Sequence, residues 1–149
     1  MRSVVQRVDR AEVRINGRRF SGIERGLLIF LGIEQGDRES DADYLSDKII
    51  NLRIFEDKEG RMNLSLLDVD GALLVISQFT LLADFRKGRR PSFTGAENPV
   101  AARRLYDYFL RRARERVARV AGGEFQAMMA VELVNNGPVT MILDSRKYL

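Results

Sequence analysis

Apolar and polar positions outline the secondary structure of this chain. Residues 3–8 are rich in strand formers, and in EVRI (residues 12–15) Val13 and Ile15 fall on one face of an extended chain. Asn16-Gly17 then reads as a tight hairpin turn, with residues 18–20 returning. GLLIFLGI, residues 26–33, is an unbroken apolar run too short for most helices and suited to a strand covered on both faces. The period changes at Ser40. Ser40 with Asp43 forms a helix-start signal, and Leu45, Ile49 and Leu52 recur at i, i+4 and i+7. A charged turn, EDKEGR, follows residues 52–55; residues 63–67 come next, and Gly71 opens a second apolar strand, ALLVISQF. Asn98-Pro99 supplies an N-cap and a first-turn proline for a second helix, with Leu105, Phe109, Ala113 and Val117 as its buried stripe and Gly122-Gly123 as its predicted end. Two further strands are expected over residues 124–134 and 139–143, joined by an Asn-Asn-Gly-Pro turn at 135–138.

Many strands, two helices and hairpins at both ends predict a mixed α/β fold, largely antiparallel. Its sheets would be two packed layers or a distorted β-barrel, with two main helices outside. The 149 residues suffice for one domain spanning 1–149, without repeat, linker or low-complexity segment. At Gly137-Pro138, glycine tolerates positive φ and proline fixes its own, so local sequence alone reads as an ordinary turn with a trans bond.

Composition narrows the chemistry. Neither cysteine nor histidine is present, which removes disulfides, thiolate nucleophiles, Cys/His zinc sites and imidazole as a general base. No metal and no cofactor is expected. Charges are scattered through the first fifteen residues, and no apolar run approaches the roughly 20 residues of a membrane span, so a cytoplasmic protein without a membrane partner is expected. The net charge of +4 is modest, yet basic residues cluster after Arg86. Arg86, Lys87, Arg89 and Arg90 fall in a loop that suits a phosphate-rich partner. Arg103, Arg104, Arg111, Arg112, Arg114, Arg116 and Arg119 fall in or just after the second helix, where a solvated face is the preferred reading.

The segment SQFTLLAD, residues 77–84, puts Ser77, Gln78 and Thr80 at the C-terminal end of an apolar strand, close in sequence to the cationic loop. Thr80 as a nucleophile would need a base, and Lys87 serves only if desolvation lowers its pKa strongly. Backbone N–H groups at Phe79 and Thr80 offer an oxyanion hole instead. The residues by themselves point to a basic α/β domain acting on an ester or phosphate linked to nucleic acid.

Seven stretches then carry a resemblance: VVQRV (4–8), NLRIFED (51–57), MNLSLLDV (62–69), SQFTL (77–81), KGRRPSF (87–93), LYDYF (105–109) and NNGPVT (135–140). In order and spacing they resemble the D-aminoacyl-tRNA deacylase family. That resemblance implies a homodimeric hydrolase of the ester between a D-amino acid and the terminal adenosine of tRNA, with active sites at the dimer interface. It implies that Ser77, Gln78, Phe79 and Thr80 of one subunit face Gly137-Pro138 of the other, the Gly-Pro bond being cis. Main-chain carbonyls there would exclude an L side chain, and glycyl-tRNA, having nothing to exclude, would also be admitted. Main-chain donors and the tRNA 2′-hydroxyl would carry the catalysis, with the Thr80 hydroxyl ranked second. Arg7 corresponds to the arginine that steadies the Gly-Pro motif; Asn135 and Phe125 belong to the pocket, and Arg86, Lys87, Arg89 and Arg90 to the tRNA surface. Three positions depart from the family pattern: Phe85 and Asn136 stand where threonine and aspartate are common, and Met128 also replaces an aspartate. A non-catalytic RNA-binding module of the same fold is the alternative, and an inactive relative is the second rival.

Overall fold

The structure, a computed structural model, describes residues 1–148. In chain order its elements are β1 (Arg2–Ile15), β2 (Arg18–Ile23), β3 (Gly26–Gly32), α1 (Glu39–Ile50), β4 (Phe55–Glu56), β5 (Met62–Leu64) and β6 (Ala72–Ser77). A 3-10 helix (Phe79–Leu82), α2 (Pro99–Arg114), β7 (Val120–Gly122) and β8 (Ala130–Asp144) complete the chain. The main sheet runs β2-β1-β3-β6-β7, with β8 on the other edge of β1, while β4 and β5 form a small second sheet. β3, β6 and β7 are parallel to one another, and the remaining pairs are antiparallel. Ser21 Oγ donates to the Gly122 carbonyl at 2.7 Å, tying β2 to β7 and curling the sheet nearly into a barrel.

Coverage on both faces explains the two unbroken apolar runs. Leu27, Ile29, Leu31, Leu73 and Val75 pack with Leu45 and Ile49 of α1 and Leu105 and Phe109 of α2. The alternate residues Leu28, Leu74 and Ile76 join Val8, Ala11, Val13 and Ile23 inside the barrel. Tyr106 anchors α2 by donating its hydroxyl to the Val75 carbonyl at 2.8 Å, and burial pushes its pKa up to about 12.

The mixed, largely antiparallel, barrel-like domain with two outer helices agrees with the sequence expectation, and four local assignments need correction. Residues 3–8 and 12–15 are one strand. α1 starts before Ser40: its cap is Arg38, whose N–H donates to the Asp41 carboxylate at 2.9 Å. α2 ends at Arg114, so Val117 is buried beyond it, and Gly122 belongs to β7. There a Cβ would stand 2.8 Å from the Tyr106 hydroxyl, so this glycine serves close packing rather than helix termination. Finally, residues 124–129 are not strand, and residues 135–138 are no hairpin turn. Both flanking runs belong to β8 and pair with the same strand, Gln6 opposite Thr140 and Val8 opposite Asn135. Residues 136–139 therefore bulge out opposite the single residue Arg7. Asn16-Gly17 is a hairpin turn as expected, with φ of 52° and 75°. Among the described residues no helix is long and apolar enough to cross a membrane.

Candidate active site

β6 is buried up to Ile76 and ends at Ser77, where the chain leaves the sheet. Gln78 donates its N–H to the Leu31 carbonyl at 2.8 Å, which holds the exit against β3. The Phe79–Leu82 turn follows. As the first residues of a helical turn, Phe79 and Thr80 have N–H groups with no intrahelical acceptor, and no other described residue supplies one. Two main-chain donors are thus left free at a strand end. The Thr80 side chain is exposed, and its hydroxyl accepts a hydrogen bond from the Gln78 amide. An amide cannot take a proton from it, and among the described residues no base is hydrogen-bonded to the Thr80 hydroxyl.

These residues form one wall of a pocket of about 850 Å³. Phe79 and Phe93 meet edge to face, their centroids 5.0 Å apart. Phe125 and Met128 come from the segment between β7 and β8, and Asn98, Pro99 and Ala102 from the start of α2. The pocket is therefore mostly apolar, with Ser77, Gln78 and Thr80 on the strand-end wall and Glu97, Asn98 and Gln126 as its other polar lining residues. Met128 is 92% exposed, a large apolar side chain at the pocket mouth. Phe93 and Pro99 were legible as parts of a loop motif and a helix start, and nothing local marked them as pocket residues. Phe85 is exposed and does not line the pocket.

Arg7, Asn135, Gly137 and Pro138 lie elsewhere, at the β8 bulge. The Gly137-Pro138 bond is cis, and both residues are exposed. Arg7, only 5% exposed, donates through Nε to the Asn136 carbonyl at 3.1 Å, through Nη2 to Asn136 Oδ1 at 3.1 Å, and through Nη1 to the Ile54 carbonyl at 2.6 Å. The Asn136 amide in turn donates to Asp9 at 2.7 Å. Asparagine fits both neighbours, acceptor toward Arg7 and donor toward Asp9, whereas an aspartate would face the Asp9 carboxylate with like charge. Asn135 closes the far side: its Oδ1 accepts from the Val139 N–H at 2.8 Å, and its Nδ2 donates to Thr140 Oγ1 at 3.1 Å. Within one chain neither Gly137 nor Pro138 lines the Phe79 pocket.

The cationic loop is pinned at its base by paired backbone hydrogen bonds between Asp84 and Ser92, of 2.8 and 3.0 Å. Arg86 folds back onto Asp84, with contacts of 2.7 to 3.1 Å, and these hydrogen bonds hold the Asp84 carboxyl down at about 2. Lys87, Arg89 and Arg90 are exposed and have no ion-pair partner among the described residues. No group of three or more His, Cys, Asp or Glu among the described residues is placed to hold a metal.

The model of the D-Tyr-tRNA(Tyr) deacylase family matches residues 4–144. A D-aminoacyl-tRNA deacylase of Syntrophus aciditrophicus is 62% identical, covering 99% of both chains, and one of Koribacter versatilis is 58% identical with the same coverage. Among solved structures, a c-Myc DNA unwinding element binding protein superposes with a TM-score of 0.92 at 39% identity, over 97% of this chain and 98% of its own. A probable eukaryotic D-amino acid tRNA deacylase has the same fold, with a TM-score of 0.80 at 17% identity, over 95% of this chain and 97% of its own.

Proposed function

The chain belongs to the D-Tyr-tRNA(Tyr) deacylase family, and from that premise we propose that it hydrolyses the ester between a D-aminoacyl group and the terminal adenosine of tRNA. The observation that carries the reading is the pair of free N–H groups at Phe79 and Thr80, on the wall of an apolar pocket. Water adds to the ester carbonyl carbon, and the charge that develops on the carbonyl oxygen falls to these two donors, already fixed by the turn. The bond to the 3′-oxygen then breaks. The neighbouring 2′-hydroxyl passes a proton from the attacking water to that oxygen, so the products are the free amino acid and tRNA ending in a 3′-hydroxyl. Thr80 acts through its main chain, because the one hydrogen-bond partner of its hydroxyl among the described residues is the Gln78 amide, which cannot take its proton.

Selection between hands falls to Gly137-Pro138. In a homodimer the exposed bulge of a second copy enters this pocket, and its carbonyls occupy the space an L side chain would need. Arg7 and Asn135 keep those carbonyls from turning aside. Glycyl-tRNA, lacking a side chain, is admitted as well. Phe125 and Phe79 supply apolar surface for the 3′ end, while Lys87, Arg89 and Arg90 meet backbone phosphates, and Arg86 contributes less because Asp84 holds it. A charged-tRNA substrate assigns the reaction to the cytoplasm.

The test follows ester loss from D-Tyr-tRNA and L-Tyr-tRNA side by side. Loss from the D-ester alone is expected. Equal loss from both would remove the selection, and binding of tRNA with loss from neither would leave an RNA-binding module.

A further inference from the structure

The arginines in and just after α2 divide into two groups. Arg112 pairs with Asp43 at 2.8 Å and also with Glu115; Arg116 pairs with Asp47 at 2.6 Å, and Arg119 with Asp70 at 3.2 Å. Arg112 ties α2 to α1, and Arg116 ties the turn just after α2 to α1, so both belong to the fold. Arg103 is held more loosely by Asp107, at 3.8 Å. Arg104, Arg111 and Arg114 are exposed and have no ion-pair partner among the described residues. Arg111 lies over the Tyr108 ring, 5.1 Å from its centroid, which restrains its direction without neutralising it.

The three unpaired cations are not scattered. At 3.6 residues per turn, positions 104, 111 and 114 fall within about a quarter of the helix circumference. They extend roughly 15 Å along the axis at 1.5 Å per residue, a length that passes several phosphates of one strand. Val100, 83% exposed, begins the same stripe one turn before Arg104, and the first turn of α2, with Pro99 and Ala102, forms part of the pocket wall. The same helix thus gives one face of its first turn to the pocket wall and, on another face, carries the cationic stripe away from that end. Arg103 and Arg112, the paired arginines within α2, flank this stripe on either side, so the three unpaired cations form one row between them.

We propose that Arg104, Arg111 and Arg114 form a phosphate track that receives the acceptor-stem backbone of the tRNA whose 3′ end occupies the Phe79 pocket. The track rests on the deacylase reading, since that reading supplies the RNA. Spaced cations on a rigid helix match a duplex backbone, which proteins meet largely through phosphates and shape. The track confers affinity and orientation and has no part in bond breaking. Arg104, Arg111 and Arg114 are positioning residues.

The test compares the triple variant R104Q/R111Q/R114Q with a control of equal charge loss, R112Q/R116Q/R119Q. Each is assayed on D-Tyr-tRNA and on D-tyrosyl-adenosine, a substrate with the reacting ester and no stem. The track variant should lose about tenfold or more in kcat/KM on D-Tyr-tRNA through KM. Its log–log salt slope should fall by about 2, since each phosphate left without its cation removes roughly 0.7 to 0.9. Its activity on D-tyrosyl-adenosine should equal that of the wild type, and the control should keep the wild-type salt slope. An unchanged slope in the track variant, or an equal fall in the control, would overturn the track while leaving the deacylase intact. A track variant that loses affinity for a polyglutamate peptide but not for tRNA would reassign the face to an acidic protein and also overturn it. A wild-type protein inert on both esters would instead overturn the deacylase reading, and the track with it.

Discussion

The turn after β6 and the bulge in β8 are made from the same material, irregular main chain at a sheet margin, and they use it in opposite ways. At residues 79–80 the N–H groups are left without partners. At residues 135–139 side chains are committed to holding the backbone, Asn135 to Val139, Arg7 to Asn136, and Asn136 to Asp9. A group that must answer a charge appearing during a reaction has to be free and aimed beforehand. A group that measures shape has to be immobile, because a gauge that yields accepts everything. The first region is therefore chemical in the deacylase reading and the second is steric.

The sharpest way to break this contrast removes the tRNA's 2′-hydroxyl. A D-Tyr-tRNA ending in 2′-deoxyadenosine, esterified at its 3′-oxygen, should lose about 10²- to 10⁴-fold in rate, the usual worth of positioned proton transfer. Thr80→Ala should stay within about tenfold of the wild type, since the hydroxyl it removes is hydrogen-bonded to an amide and to no base among the described residues. A dead Thr80→Ala protein that remains folded, with the 2′-deoxy substrate still cleaved, would reverse the assignment. Next in size is Arg7→Ala, which strands the buried Ile54 carbonyl and removes two part-buried hydrogen bonds to Asn136; a loss of about 2–3 kcal/mol is expected from denaturant midpoints, at 1–3 kcal/mol for a buried unsatisfied group. Its rejection of L-Tyr-tRNA should weaken as well. Arg7→Lys should rescue neither, because an ammonium cannot reproduce the fork that reaches three oxygens.

Gly137→Ala sharpens the steric side more gently. The residue has φ of 128°, and an added Cβ would come within 2.7 Å of Val139 and 3.0 Å of Arg7. Stability should fall by about 1–3 kcal/mol, as for other overpacked sites, and D-Tyr-tRNA hydrolysis should suffer more than the binding of uncharged tRNA. The smallest effect belongs to the cationic loop. Asp84 sits at about 2, below its usual value, so its contribution to loop order is present above about pH 4 and is lost as pH falls toward 2. Amide protection factors of residues 84–92, taken against the base-catalysed intrinsic rate, should therefore be flat between pH 5 and 8. Asp84→Asn should free Arg86 and tighten tRNA binding by no more than about threefold, in line with a single exposed ion pair.

Local pattern reached far into this fold and then stopped for an identifiable reason. Leu27 to Leu31 and Leu73 to Ile76 were legible because double coverage leaves no polar position, and α2 because Leu105, Phe109 and Ala113 keep their spacing. The NNGP segment was misread because a turn and a bulge have the same composition. What separates them is whether both flanks pair with one strand, and β1 lies about 130 residues away in sequence. Gly122 misled in a similar way: its reason is the Tyr106 hydroxyl on another element. At the candidate site, Ser77 and Thr80 stood out as polar groups ending an apolar strand. Phe93, Phe125 and Met128 join them only through tertiary folding, and the freedom of two N–H groups is a property of hydrogen bonding that no residue type encodes.

The pairing of β1 with β8 also sets an order of events during synthesis. β1, β3 and β6, together with the turn carrying the free N–H groups, leave the ribosome well before β8. At about 5–20 residues per second the 52 residues between the end of β6 and the start of β8 represent several seconds. During that interval one edge of β1 is open, with Val5 and Val8 short of their final cover, and it is available to any extended chain that passes. The last strand closes that edge and delivers the bulge in the same stroke, so under the deacylase reading a nascent chain would have its donors before the means to discriminate.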